Sequence, residues 1–317
     1  FQFSNRNYTR FISYEKAEYK SDKLEISGYF YNENDVKNQP IQVSLSAEQK
    51  QILANAGNNP DLMIGESAYP DAFDANRILY KKVQNGNTEY YEYSTNQNDN
   101  LFTVTFSNVG DNEGDYSLGE TYANGNVFVY VGTNQGSYSP ITQLIAPTKL
   151  QVAVLNSSYN PNEKTSISTE VAFSNSDQNL FSTLDNNQNK GIATKLAWQQ
   201  VLLDKKWKLL SDLNYLFIHK NFNTIQRIQS VEFNRDWNLN NPTGNQQQLG
   251  MDLSLKKSDD NFLTYSFQQL QFSNNFKGNK HIVASKINFG NTLFYNNSSY
   301  LVNNSDLKEN TFLRIKS

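Results

Sequence analysis

The feature that most narrows what this chain can fold into is a period-two alternation that persists for about ten to fifteen residues at a time. Globular strands average about five to six residues, and a tilted strand crossing a bilayer takes about 9–11. From Trp207 the odd positions read Trp207, Leu209, Ser211, Leu213, Tyr215 and Phe217, with Lys208, Asp212 and Asn214 between them. The next stretch alternates Val231, Phe233, Trp237 and Leu239 with Glu232, Asn234, Asp236 and Asn238. A third sets Leu249, Met251, Leu253 and Leu255 against Gly250, Asp252, Ser254 and Lys256. Successive strand side chains point to opposite faces, so each stretch has one apolar and one charged face. Further strands are expected around Leu263–Phe272 and Ile282–Tyr295, divided by turn-like runs at 241–245, 257–261 and Lys277-Gly278-Asn279-Lys280.

In a transmembrane barrel the apolar face meets lipid and the charged face lines a wet lumen. On that reading Trp207, Leu209, Leu213, Tyr215, Phe217, Val231, Phe233, Trp237, Leu249, Met251, Leu253 and Leu255 face lipid, and Asp212, Glu232, Asp236, Asp252 and Lys256 face the lumen. A soluble β-sandwich, such as an extracytoplasmic glycan-binding module, is the alternative. It would alternate too, but with shorter strands and without Trp, Leu, Tyr and Phe in succession on its outward face. The expected fold is all-β: long antiparallel strands in an up-and-down meander, forming all or part of an outer-membrane β-barrel, with one short helix.

That helix is predicted over residues 47–56, where Ser46 stands at the N-cap, Gln49 at the third helical position and Gly57 at the stop. The N-terminal half is β-rich but less regular, with Leu24, Ile26, Gly28 and Phe30 alternating and hairpin chemistry at Asn85-Gly86-Asn87. Strand regularity improves from Lys149, which suggests a β-rich region over 1–148 and an antiparallel meander over 149–317. At about ten residues per crossing plus turns, the second region supplies about eight strands. The chain starts at Phe1, and Phe312-Leu313-Arg314-Ile315 still reads as strand, so a fragment open at both ends is expected.

Composition removes several chemistries. With no Cys and two His among 317 residues there is no disulfide, thiolate zinc site or three-histidine centre. The 28 basic residues are outnumbered by 31 acidic ones, which argues against nucleic acid as a partner. The 46 Asn, 19 Tyr and 20 Phe suit half-buried strands joined by turns.

Candidate sites are few. Asp111, Glu113 and Asp115 cluster around two glycines and would suit calcium, although a solvated hairpin tip has the same composition. The run Asp185–Gly191 spaces oxygen ligands alternately but places Lys190 where a calcium loop needs Gly. His219 and His281 read as strand-end residues rather than catalytic bases, and no Gly-x-Ser-x-Gly or phosphate-binding glycine loop occurs. Glu232, Asp236 and Asp252 could form a glycosidase pair, but on long alternating strands a polar lumen is the simpler reading. Tyr29, Tyr31, Tyr90, Tyr91 and Tyr93 fit either cross-strand aromatic pairing or a sugar platform. The expectation is a non-enzymatic protein without a cofactor.

Three stretches, Lys23–Pro40, Gln135–Leu155 and Glu170–Gly191, resemble the large outer-membrane β-barrel and cell-surface proteins of Bacteroidota. The resemblance covers about a fifth of the chain and brings no catalytic residues. It implies an outer-membrane or cell-surface setting, with membrane lipid and other surface proteins as partners. It also implies a role in transport, type IX secretion or surface attachment. The chain departs from such proteins in lacking a recognisable plug domain or terminal barrel-assembly signature.

Overall fold

The computed structural model describes residues 10–36, 45–290, 292–305 and 308–316. Residues 37–40, which close the first resemblance stretch, lie outside the described residues. The chain is mostly strand, with two short α-helices among the described residues, and divides into two compact units. The larger takes in Arg10–Asp35, Thr148–Gln178 and the chain from Asp185 onward; the smaller contains Val36–Pro147 and Asn179–Leu184.

The larger unit is an eleven-stranded sheet. Its strands are β1 (Arg10–Lys20), β2 (Leu24–Asp35), β3 (Lys149–Asn162), β4 (Thr165–Asp177), β5 (Lys190–Asp204), β6 (Lys208–Ile218), β7 (Gln246–Ser258), β8 (Asn261–Phe272), β9 (Phe276–Phe289), β10 (Thr292–Ser305) and β11 (Lys308–Lys316). Each pairs antiparallel with the next in the chain. No pairing joins β1 to β11 among the described residues, so the meander is not closed into a barrel. From Lys149 onward it has nine strands where about eight were expected.

Two local expectations are corrected. Trp207 lies in the turn between β5 and β6, and alternation proper starts at Lys208. The predicted turn at 277–280 is inside β9; the chain reverses instead at 273–275. The β2–β3 pair carries the longest insertion between neighbouring strands of the sheet, residues 36–148, and Asp35 closes it. Asp35 N–H donates to Thr148 O at 2.9 Å, and its buried carboxylate accepts from Thr148 N–H (2.8 Å), Thr148 Oγ1 (3.1 Å) and Arg10 Nε (2.7 Å).

The smaller unit has two cores. Helix α1 (Ala47–Ala56) starts at the capping box foreseen in the sequence. Gln49 N–H donates to Ser46 Oγ at 3.2 Å, and Ser46 N–H donates to Gln49 Oε1 at 3.0 Å. It ends at Gly57, whose φ of 62° is costly for any side chain with a Cβ. Leu53 and Ala56 pack on Met63, Leu144 and Ala146. Last-turn carbonyls are satisfied from outside the helix: Asn179 Nδ2 donates to Leu53 O (2.7 Å) and Gly57 O (2.6 Å), and Ser182 Oγ to Ala54 O (2.9 Å).

The second core is aromatic, built on buried Tyr80, Tyr91 and Tyr116. Phe106 lies 5.1 Å from the Tyr80 ring and 4.7 Å from those of Tyr116 and Phe128. The buried phenols are not orphaned. Tyr80 OH accepts from Phe128 N–H at 2.9 Å and Tyr116 OH from Tyr91 N–H at 2.7 Å, while Tyr91 OH donates to Glu66. Burial pushes the Tyr80 and Tyr116 phenols up to about 12, and Tyr91 is raised by burial and by its bond to Glu66.

Candidate membrane-facing surface and inner-face strap

Strand register decides which residues share a face. Leu209, Leu213 and Tyr215 of β6 stand directly opposite Leu255, Met251 and Leu249 of β7. The same face continues through Leu263, Tyr265 and Phe267 on β8 and Val283 on β9, and in the other direction through Leu196 and Trp198 on β5 and Ile167 on β4. These side chains are not covered: Trp198 is 41% exposed, Leu213 39% and Leu263 45%. From Leu249 to Leu255 the apolar run measures about 20 Å along the strand. Beyond it, Gln247, Gln269, Gln271 and Asn279 make a polar rim on the same face. Phe217 and Leu253 belong to this outer face as well, so eight of the twelve residues assigned to lipid share one exposed surface.

The opposite, inner face is mixed: Leu210, Leu216 and Ile218 of β6 share it with charged residues. Asp212 and Asp252 are direct cross-strand neighbours there, and Lys256 lies on the same face of β7 with its Nζ 2.7 Å from Asp259. Like charges facing each other across strands are unfavourable, which suits a solvated surface better than a packed one. The other two lumen candidates are elsewhere.

The alternating stretch 231–239 is not a strand. Residues 219–245 instead form a strap across the inner face, its ends held together where Lys220 N–H donates to Asn245 Oδ1 at 2.9 Å. Within it α2 (Phe233–Trp237) ends at Asn238 in the left-handed conformation, φ 54°. Tertiary burial overrides the alternation: Trp237, 6% exposed, packs on Leu270, Phe276 and Leu301. Its carbonyl accepts from buried Asn303 Nδ2 at 2.7 Å. Lys280 Nζ lies 5.4 Å from the Trp237 ring and donates to Asp236 O at 3.4 Å. A Cβ on Gly278 would come within 3.2 Å of the same indole, so Gly278 is a close-approach glycine inside a strand rather than a turn residue.

Trp237 and Phe233 therefore point to the inner face, contrary to the lipid assignment, and Val231 is an exposed strap residue. Glu232 pairs with Arg235 at 2.8 Å within the strap, and Asp236 sits beside it. Of the three carboxylates weighed as a glycosidase set, only Asp252 is on a strand. Asn303 has no role assigned from sequence, and Gly278 and Lys280 read there only as turn residues. The available signal was Leu270 and Phe272 on β8 and Leu301 on β10, apolar residues in phases that also carry Thr264, Ser266 and Gln268, and Asn297, Ser299 and Asn303.

The histidines separate. His219 follows β6, and its Nδ1 accepts from Asn221 N–H at 3.2 Å. His281 is in the middle of β9, not at a turn, with Tyr265 OH 2.8 Å from Nδ1 and the Phe267 and Tyr300 rings nearby. The acidic segment is not a hairpin tip, because the flanking strands Ser107–Asn108 and Tyr116–Tyr122 do not pair with each other; within it Asp111 accepts from Ser137 Oγ (3.0 Å) and Asp115 from Asn134 N–H (2.9 Å). Among the described residues no group of three or more His, Asp or Glu is placed to hold a metal ion. Tyr29 and Tyr31 lie on the inner face of β2, whereas Tyr90, Tyr91 and Tyr93 are in the smaller unit, where Tyr90 stacks on Tyr130 at 4.4 Å.

No helix among the described residues is long and apolar enough to cross a membrane, which says nothing about crossing by strands. Comparison with protein-family models and with curated proteins gives no match for this chain.

Proposed function

We propose that the eleven-stranded meander is part of the wall of an outer-membrane β-barrel, serving a non-enzymatic role as scaffold, pore wall or surface-assembly component. The observation that carries this reading is the asymmetry of the sheet. One face exposes a band of Leu, Trp, Tyr and Phe across at least five consecutive strands, with a Gln/Asn rim, while the other bears Asp212, Asp252 and Lys256. In water such a band is a large uncovered apolar patch; in a bilayer it is the expected boundary. The sequence resemblance to Bacteroidota surface proteins agrees with this setting.

Membrane fractionation of the native protein, with carbonate washing and a heat-modifiability gel on the detergent extract, tests the reading. Retention after the wash with a heat-dependent mobility shift is expected. Release into the soluble fraction overturns it and makes the glycan-binding sandwich the next hypothesis.

A further inference from the structure

The smaller unit has a groove of about 500 Å³ walled largely by tyrosine. Much of its lining comes from Thr88–Tyr93 and Gly125–Tyr130, the edge strands of two separate four-stranded sheets. Tyr91 is turned into the core, but Tyr90 and Tyr93 stay half-buried and are joined by Tyr122 and Tyr130. Tyr90 stacks on Tyr130 at 4.4 Å, and the Tyr93 and Tyr122 rings lie 6.1 Å apart at 30°. The hydroxyls of Tyr90, Tyr93 and Tyr130 make no hydrogen bond with any described residue, and none of the three is buried. Two carboxylates accompany them: Glu92, 3.2 Å from Lys81 Nζ, and Glu120, which accepts from Tyr122 OH. A carboxylate has about four acceptor positions, so both keep capacity for a ligand. Among the described residues no Lys or Arg belongs to the lining.

We infer that this groove binds a neutral oligosaccharide. A sugar ring carries C–H patches that lie against aromatic rings, and hydroxyls that donate to carboxylates and both donate to and accept from phenols. Other ligand classes each meet an obstacle. A peptide added as a β-strand needs the free N–H groups of a sheet edge, but in mid-strand Tyr91 N–H is taken by Tyr116 OH (2.7 Å) and Phe128 N–H by Tyr80 OH (2.9 Å). A proline-rich peptide suits aromatic grooves, yet Pro has no N–H to offer Glu92 or Glu120. An anionic ligand meets two carboxylates and no cation in the lining. A fatty acyl chain would desolvate carboxylates and phenols without bonding to them. A small quaternary ammonium ion suits rings and carboxylates but gives the three free phenols no hydrogen bond. The inference concerns the smaller unit alone and does not rest on the membrane reading of the larger sheet.

The test uses the full-length protein, prepared in whichever detergent or buffer keeps it folded, and titrates it calorimetrically with cellohexaose, maltohexaose and mannohexaose. Saturable binding of at least one is expected, weakened about tenfold by Tyr122→Ala and about fivefold by E92Q/E120Q. Tyr122 is 43% exposed, so its truncation should leave the thermal melt unchanged and any loss of binding belongs to the groove. E92Q/E120Q keeps the shape of both side chains and gives a second readout if Tyr122→Ala melts early. No binding of the three sugars overturns the proposal, as does binding that both variants leave unchanged. Saturation by a proline-rich decapeptide or by choline, with no sugar binding, also overturns it and gives the groove to that class.

Discussion

In the smaller unit Tyr80, Tyr91 and Tyr116 are turned inward and closed over by other rings, whereas in the larger sheet Trp198, Leu213 and Leu263 are turned outward and left uncovered. Both regions write their strands in the same alternating code. The difference lies in what meets the apolar phase: a second layer of the same unit in one case, nothing from the larger unit in the other. Alternation thus sorts side chains into two faces but does not say which face is the interior. A single exception occurs within the larger unit, where the strap brings Trp237 down on Leu270, Phe276 and Leu301 and makes a small dry core on the otherwise wet face.

That exception is the most sensitive point of the comparison. Trp237→Ala should cost about 3–5 kcal/mol, as for other buried Trp truncations, and expose 219–245 to limited proteolysis. A variant with unchanged unfolding and proteolysis would show that the strap is not held there. Next comes the outer face. Leu253→Arg should cost about 2–4 kcal/mol if this position lies near a bilayer midplane, read from unfolding in lipid vesicles. A cost near zero there would remove the distinction between the two regions' apolar phases. In the smaller unit, Tyr116→Phe deletes the acceptor for Tyr91 N–H and should cost about 1–3 kcal/mol in thermal melts, without affecting membrane retention.

The tyrosine core should also give the smaller unit its own alkaline transition. The folded phenols of Tyr80 and Tyr116 titrate at about 12, above the unfolded value of about 10. Their contribution is complete below pH about 10 and is lost as pH rises through about 12. Near-ultraviolet circular dichroism across that window should lose the aromatic signal; a flat profile would contradict the buried core.

Much of this was legible in the sequence. The Ser46–Gly57 helix was readable because both of its ends are written in local chemistry, and β6 and β7 because a long strand with two different faces repeats itself in every pair of residues. The stretch 231–239 was misread for a physical reason. It alternates as well as any strand, but its most apolar residue finds a better partner on the inner face than an edge-on neighbour would offer. The false turn at 277–280 has the same origin. Gly278 is small so that the Trp237 indole can approach, and one contact accounts for both errors.

Asp35 carries a consequence for how the molecule assembles. Because β2 and β3 are neighbours in the sheet, pairing them requires the ends of an insertion of more than a hundred residues to meet. For a flexible loop of that size the closure entropy alone is about 4 kcal/mol, and contacts so distant in sequence form slowly. An insertion that folds first, with its two ends brought close, acts instead as one oversized turn. The cluster of hydrogen bonds from Thr148 and Arg10 onto Asp35 then clasps it. Folding order would be built into the topology: the small unit early, completed by residues 179–184 between β4 and β5, the β2–β3 junction after it, and the hairpins from β5 to β11 free to form at their own pace.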